Sequence, residues 1–312
     1  MNILMIYPSW EERSVLGFER DIEASNIDEL ILFENANPIN SDKIASVVSK
    51  IEEICKDRQI TCKKVSLDFG RPSIWGVIKE LVSQINSDDN VRLDICTMSR
   101  NLIWALLFFL KERVGKVDIV YHQPNKYSNE WLSRDAELPR LLYKHSGIVS
   151  IEKKTLLVII TGFDVERTKQ LVYFYNPSKV VLLIQKPNRL DDSERNTAEL
   201  HSDECIKMGV KTDVELIDCY GEDWGYEETE KVIAENLGNY NIVVSSLGPK
   251  LSAISVYRTF LNHSEIALTY IPCREYNENY CEGIGDSYES EMQFKIKDQD
   301  QTRSGDGSLI RS

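Results

Sequence analysis

The sequence predicts an α/β protein built from two tandem Rossmann-like domains, each with a parallel sheet. Short apolar runs alternate with stretches of helical periodicity along the chain, which is typical of parallel sheets covered by helices. In addition, landmark residues recur at one fixed offset of 149 positions, which indicates an internal duplication and a pseudo-two-fold arrangement. The landmark pairs are Trp75 and Trp224, Thr97 and Ser246, Tyr121 and Tyr270, and Tyr127 and Tyr276.

Each half contains five apolar runs that predict strands. The first run opens the half and is followed by a polar turn and a helical pattern, as at the start of an α/β unit. All five are too apolar for a sheet with a solvent-facing side, so we expect helices on both faces. The predicted strands are Ile3–Ile6, Leu30–Phe33, Val65–Leu67, Leu93–Cys96 and Ile119–Tyr121, then Leu157–Ile160, Val180–Ile184, Val214–Ile217, Ile242–Ser245 and Ala267–Ile271.

Helices are predicted wherever apolar residues recur at i, i+3 and i+4 between these runs. They are Asp42–Arg58, Ile74–Asn86, Asn101–Arg113, Asp164–Asn176, Arg195–Met208, Tyr226–Asn236 and Leu251–Asn262.

The length of 312 residues agrees with two domains that each bury a core. The predicted first repeat is 1–150 and the second is 151–294, with the junction near Gly147–Lys154. A last strand is predicted at Met292–Ile296, and residues 295–312 are predicted to form a polar C-terminal tail.

Composition excludes several classes of protein. A net charge of −13 leaves no broad basic surface for double-stranded DNA, although a few local groups could bind a small anionic ligand. The longest apolar segment, Leu102–Leu110, is half the length that a membrane span requires. The N-terminus lacks the features of a secretory signal, and seven cysteines without a CxxC pair fit a reducing compartment. The sequence therefore predicts a cytoplasmic protein that does not bind membranes.

The loops after the fourth predicted strand of each half carry the main candidate residues. Ligands in open parallel sheets bind beyond the carboxyl ends of the strands, where loops and helix N-termini supply unpaired N–H groups. Both loops combine hydroxyl groups with one cation, which suits an anionic group; alternatively, the hydroxyls only cap the helices and the cations are solvated. The candidate ligand-binding residues are Thr97, Ser99, Arg100 and Asn101 in the first half and Ser245, Ser246, Gly248 and Lys250 in the second.

The loops after the first strand of each half share an aromatic residue followed by Glu-Arg-Ser/Thr. An aromatic ring beside a guanidinium could stack a base, so Trp10, Arg13, Phe163 and Arg167 are further ligand-binding candidates. The alternative is that these charged residues belong to an ordinary first helical turn. Tyr127 and Tyr276 are second-rank candidates, since tyrosines are equally common as loop anchors.

No recognised catalytic motif is present, and the four histidines lack metal-ligand spacing. We therefore expect no metal and no cofactor, and the sequence does not assign catalytic residues.

The segment NIVVSSLGPKLSAISVY resembles the fourth strand, S/T-x-G-T-K loop and helix of the CARF family, the Rossmann-like sensors of cyclic oligoadenylates, and of the related SAVED sensors. Ser246, Gly248 and Lys250 fill this pattern, while Pro249 stands where a threonine is usual. In the first half Arg100 replaces the lysine and the glycine is missing.

The resemblance implies a regulatory protein that senses a nucleotide-type second messenger, such as a cyclic oligoadenylate, in a prokaryotic anti-phage defence system. It also implies a protein effector as partner. Two alternatives stay open. One is a ring-nuclease-like phosphodiesterase, for which Arg100, Lys250 and Glu12 or Glu166 are the only acid or base candidates. The other is a non-catalytic scaffold subunit of a larger complex.

Overall fold

The computed structural model describes residues 1–187 and 195–294. Its first sheet has six strands in the order β3-β2-β1-β4-β5-β16. The first five strands are mutually parallel, and the sixth pairs antiparallel with β5. The strands are β1 (Asn2–Ile6), β2 (Glu29–Asn35), β3 (Thr61–Leu67), β4 (Asn90–Asp94), β5 (Lys116–His122) and β16 (Ser287–Gln293).

The second sheet has the same strand order, β11-β10-β9-β12-β13-β8, with five parallel strands and one antiparallel edge strand. This confirms the predicted fold class of two tandem Rossmann-like domains. A common origin of the halves remains a prediction. The strands are β8 (Arg140–Ser146), β9 (Lys154–Ile160), β10 (Lys179–Gln185), β11 (Lys211–Ile217), β12 (Tyr240–Ser246) and β13 (Ala267–Tyr270).

Eight helices connect the strands within the described ranges. In the first half they are α1 (Arg13–Ala24), α2 (Ser41–Arg58), α3 (Ile74–Ser83) and α4 (Arg100–Leu110). In the second half they are α5 (Val165–Tyr175), α6 (Ala198–Lys207), α7 (Tyr226–Asn236) and α8 (Leu251–Asn262).

The two halves exchange their edge strands. β8 follows the first five strands in sequence, yet it pairs with β13 of the second sheet, while β16 from the end of the described chain pairs with β5 of the first. Two short ribbons repeat this crossing: β6 (Lys126–Tyr127) pairs with β15 (Cys281–Glu282), and β7 (Ser133–Ala136) pairs with β14 (Cys273–Tyr276). The halves are therefore joined by backbone hydrogen bonds as well as by packing.

The largest hydrophobic core lies between the two sheets and is shared by both halves. It contains side chains from α3, α4, α7 and α8 together with the inward faces of the sheets. Trp104 on α4 is fully buried and donates a hydrogen bond to the carbonyl of Ala253 on α8 at 2.7 Å. Two smaller cores lie beneath α1 and α2 and beneath α5 and α6. The contact of α4 with α8 therefore joins the two halves through one shared core.

The structure differs from the predicted elements mainly after the fifth strand of each half. The last strand begins at Ser287 rather than Met292 and belongs to the first sheet. The strands β6, β7, β8, β14 and β15 were not predicted, because four of them have only two to four residues and β8 (RLLYKHS) lacks a continuous β-branched run. The predicted tail at 295–312 lies outside the described residues. No helix of the described chain has the length and apolarity that crossing a bilayer requires.

Candidate functional site between the two halves

The loops after β4 and β12 contact each other at the centre of the molecule. Arg100 Nε donates a hydrogen bond to Ser246 Oγ at 2.9 Å, and its terminal nitrogen donates to the Gly248 carbonyl. In the opposite direction, Lys250 Nζ donates to the Met98 carbonyl at 2.5 Å. Each half thus places the cation of its loop against the backbone of the other half.

Two glycines in the second half allow the β9 and β12 loops to approach closely. A Cβ atom on Gly162 would lie 2.2 Å from the Leu247 carbonyl oxygen, and one on Gly248 would lie 2.7 Å from the Thr161 carbonyl oxygen. Only residues without a side chain fit this crossing. Gly248 is therefore needed for the packing of the loop that carries Lys250.

The first turns of α1 and α5, which follow β1 and β9, add two more arginines, each paired with a carboxylate. Arg13 Nε lies 2.8 Å from Glu11 Oε2, and both side chains are buried. Arg167 Nε lies 3.1 Å from Asp164 Oδ2, and its terminal nitrogen donates to Ser133 Oγ at 2.5 Å. Both sequence-predicted arginines therefore point inward rather than to solvent.

Two cavities lie on either side of these cations. The cavity beside Phe163, the Phe163 cavity, has a volume of about 370 Å3. The cavity beside Trp10, the Trp10 cavity, has a volume of about 900 Å3. Both volumes are in the range of small-molecule sites, roughly 300–1,000 Å3. Five residues line both cavities and form their common wall: Arg13, Arg100, Arg167, Lys250 and Tyr280.

The aromatic residues of the site pair across the halves. Trp10 of the first half packs on Tyr276 of the second, with ring centroids 5.8 Å apart. Phe163 of the second half packs on Tyr127 of the first at 5.7 Å. The guanidinium of Arg195 lies 4.9 Å from the Phe163 ring centroid. Each cavity is therefore lined by residues of both halves and contains an aromatic pair that joins them.

Burial changes the protonation of the common wall. Burial, followed by repulsion from Arg13, lowers the pKa of Lys250 to about 7. Burial and the nearby Arg167 also lower the pKa of Arg100. Burial opposes ionisation of Glu11, but Arg13 and Lys250 outweigh it, so the pKa of this carboxyl is lowered. The wall thus combines fixed charges with one amine that titrates near neutrality.

The remaining candidates separate into residues that line a cavity and residues that do not. Thr97, Ser99 and Asn101 line the Trp10 cavity, although Ser99 Oγ donates to Asn101 Oδ1 at 2.5 Å and Thr97 donates to the Tyr7 carbonyl. Ser245 and Ser246 line neither of the two cavities. Ser246 instead holds Arg100, and the Ser245 hydroxyl is buried without a hydrogen-bond partner in the described structure.

Several residues of the site were not predicted from the sequence. Glu11, Tyr220 and Tyr280 line the cavities, and Arg195 covers Phe163. Tyr280 lies four residues after the predicted Tyr276, and the crossing of the two halves brings it to the centre. The aromatic and acidic composition of these loops was the only available signal.

The fold and this site define a two-domain α/β protein with a cationic, aromatic-lined site at the junction of its halves. Among solved structures, the chain is similar to one described as a type III CRISPR defence DNA nuclease activated by cyclic oligoadenylate, with a TM-score of 0.53 and 9% sequence identity. The match covers 83% of this chain and 64% of that chain, so this chain spans less than two thirds of that protein. At this identity the similarity shows the fold alone. No family model matches the chain, and no curated protein is significantly similar to it.

Proposed function

We propose that the protein is a CARF-like sensor that binds an anionic nucleotide second messenger, of the cyclic oligoadenylate class, between its two halves. As a regulatory protein it would act in prokaryotic anti-phage defence through a protein effector. The described solved structure supports this proposal, because a protein of the same fold is activated by cyclic oligoadenylate.

One observation carries the proposal: the common wall holds four cationic side chains, and only two of them pair with a carboxylate. Arg13 pairs with Glu11 and Arg167 pairs with Asp164, whereas Arg100 and Lys250 have no ion-pair partner within residues 1–187 and 195–294. Buried charges are unfavourable unless they are compensated, so the site is suited to an anion. Phosphate groups of a nucleotide would supply the missing negative charge, and Arg100 can contact them through its guanidinium.

The aromatic residues are placed to receive bases. Trp10 and Phe163 each line one cavity on opposite sides of the cationic wall. The indole nitrogen of Trp10 is buried and has no acceptor in the described part of the chain. A ligand with phosphates at the wall and bases on both sides would use all these groups, as stacking on aromatic rings is a general way to bind bases.

Isothermal titration calorimetry with cyclic tri-, tetra- and hexa-adenylate tests the proposal. We expect saturable binding of at least one of them, weakened tenfold or more by Lys250→Gln. Lys153 offers a matched control, because its Nζ also donates to a backbone carbonyl, that of Leu237 at 2.7 Å, outside both cavities. Lys153→Gln should bind as the parent protein does. Absence of binding to all three ligands by folded protein would exclude this function and favour a scaffold role.

A second candidate function is a phosphodiesterase that cleaves such a ligand. It is favoured by the pKa of about 7 of Lys250, because an amine that titrates near neutrality can transfer a proton. Glu12 and Glu166 are poorer candidates, since both are exposed. Chromatography of the ligand after prolonged incubation distinguishes the functions: cleavage that is lost in Lys250→Gln supports the enzyme, and intact bound ligand supports the sensor.

A further inference from the structure

A second cluster of chemically active side chains lies behind the candidate site, beneath α1. It contains Asp94 at the end of β4, Cys96 in the following loop and His122 at the end of β5, all of them buried. One potential ligand atom from each residue lies within 4.8 Å of the other two. The cluster is buried and lines neither cavity of the proposed nucleotide site. The proposed function therefore does not explain why these three residues lie together.

The polar groups around this cluster are incompletely satisfied. Asp21 on α1 is fully buried, with Oδ1 at 3.4 Å from His122 Nε2. Its other oxygen, Oδ2, has no hydrogen-bond partner in the described structure, and neither has His122 Nε2. Arg92 contacts Asp21 Oδ1 at 2.9 Å and also pairs with Glu289. A carboxylate oxygen of Asp21 and a ring nitrogen of His122 are therefore both buried and left without a hydrogen bond within the described residues.

The geometry points to a structural zinc site formed by Asp94, Cys96 and His122, with Asp21 as the adjacent fourth residue. Thiolate and imidazole ligands together favour zinc over magnesium or calcium. Ligand atoms of a tetrahedral zinc site are roughly 3.3–3.8 Å apart, given bonds of about 2.0–2.3 Å. The observed spread of up to 4.8 Å requires only a small contraction of the side chains. The three residues are buried, and a structural zinc site keeps no coordination position open for water.

Outer contacts already orient the three ligands as metal sites require. The second ring nitrogen of His122, Nδ1, lies 2.7 Å from Ser287 Oγ, which leaves Nε2 for a metal. The backbone N–H of His122 donates to Cys96 Sγ at 2.8 Å, and that of Cys96 donates to Asp94 Oδ1 at 2.8 Å. Gly17 allows α1 to cover the cluster, because a Cβ there would lie 2.8 Å from His122 Cδ2.

A bound zinc ion would hold two elements of the candidate ligand site in place. Cys96 directly precedes Thr97, and α1 begins at Arg13, so the metal would connect the β4 loop to the helix that carries an arginine of the common wall. The sequence could not indicate this site, since its ligands come from three separate elements and no pair has a recognised metal-binding spacing.

Metal analysis and cobalt substitution of the full chain test the zinc site. Inductively coupled plasma mass spectrometry should find about one zinc ion per chain in protein purified without chelators. Cobalt added to chelator-treated protein should give a sulfur-to-cobalt charge-transfer band and the absorption of a tetrahedral ion. The band should disappear in Cys96→Ser and persist in the control Cys205→Ser, which alters a buried cysteine on α6 outside the cluster.

The milder variant Asp94→Asn covers the case in which Cys96→Ser does not fold. It retains the size of the side chain, and we expect its zinc affinity to fall at least tenfold while its circular dichroism is unchanged. Wild-type protein that is folded but contains no zinc and gives no cobalt band would overturn the proposal. A band that persists in folded Cys96→Ser would overturn it as well.

Discussion

The two strand-end loops at the centre of the molecule supply different kinds of cation. The β4 loop contributes Arg100, which donates to both Ser246 and Gly248 of the other half. The β12 loop contributes Lys250, which donates to the carbonyl of Met98 of the first half. A guanidinium stays charged at any physiological pH, whereas burial lowers the pKa of Lys250 to about 7. The halves share a fold but contribute unequally to the proposed site: one charge is permanent and one depends on pH.

The comparison extends to the space around each loop. The Trp10 cavity is larger than the Phe163 cavity, at about 900 Å3 against about 370 Å3. A ligand with identical repeating units would therefore meet two different surroundings. Two halves with the same strand order therefore need not form the same site. The exchanged segments after the fifth strands determine which side chains close each cavity.

The first prediction tests whether the halves can be compared as separate units at all. Residues 1–150 and 151–294 expressed alone should fail to fold, because each lacks the edge strand of its sheet and carries an unpaired strand of the other. Circular dichroism and size-exclusion chromatography measure this. Co-expression of both pieces should restore a stable complex. Cooperative unfolding of either isolated half as a monomer would contradict the exchange of strands.

The second prediction separates the two cations by pH. Loss of a charged hydrogen bond to a ligand phosphate weakens binding by about 1.5–3 kcal/mol, or roughly 10–150-fold. Arg100→Gln should show this loss at every pH, while Lys250→Gln should show it at pH 6 and lose most of its effect at pH 8.5. Calorimetric titration with the bound cyclic oligoadenylate provides the affinities. Arg113→Gln is the matched control, because Arg113 donates to the Ile85 carbonyl at 2.9 Å away from the cavities.

The pKa of Lys250 also determines how the ligand affinity of the parent protein depends on pH. Below pH 7 the free protein already carries the Lys250 charge, so affinity should be constant; above pH 7 binding must take up a proton and affinity should fall by up to about tenfold per pH unit. Lys250→Arg should remove this slope. An unchanged slope in that variant would show that another group titrates.

The fourth prediction compares the stacking surfaces. Removing an aromatic partner of a base weakens binding by about 1–3 kcal/mol. Trp10→Ala and Phe163→Ala should each weaken binding, and the double variant should show the sum if bases occupy both cavities. Tyr173→Ala is the control, since Tyr173 is 83% exposed on α5. If only one of the two variants weakens binding, the ligand occupies a single cavity.

The smallest expected effect concerns stability. Lys250 has a folded-state pKa of about 7 against its ordinary 10.5, so the unfolded chain binds more protons between these values and stability should rise with pH across this window. Lys250→Met removes the buried charge and should stabilise the free protein at pH 6. The expected gain is only about 1–2 kcal/mol, because the amine faces a cavity and keeps part of its hydration. Thermal unfolding at pH 6 and pH 9 measures this, with a smaller gain expected at pH 9. A loss of stability at pH 6 would contradict the lowered pKa.

Local sequence patterns predicted the elements that have strong periodicity. The runs at Ile3–Ile6 and Leu157–Ile160 and the helical pattern of Leu251–Asn262 appear in the structure with nearly the same bounds. Rules of parallel sheets then placed Arg100 and Lys250 in strand-end loops. These rules need only short-range information, since each loop follows directly from its strand.

The remaining features depend on contacts between distant segments. The exchange of β8 and β16 could not be predicted, because the sheet that an edge strand joins depends on contacts between distant segments and not on the strand's own pattern. Glu11 has a polar sequence context typical of a surface turn, yet its side chain is buried in an ion pair with Arg13. The cluster of Asp94, Cys96 and His122 joins β4 to β5 only after folding. Long-range pairing, rather than composition, produced these parts of the site.

A crystal structure of the protein with its bound cyclic oligoadenylate tests the central claim most directly. The account predicts one ligand per chain, with phosphate oxygens in contact with both Arg100 and Lys250 and bases in both the Trp10 and Phe163 cavities. A ligand that contacts the loops of one half only, or that binds outside the common wall, would contradict it.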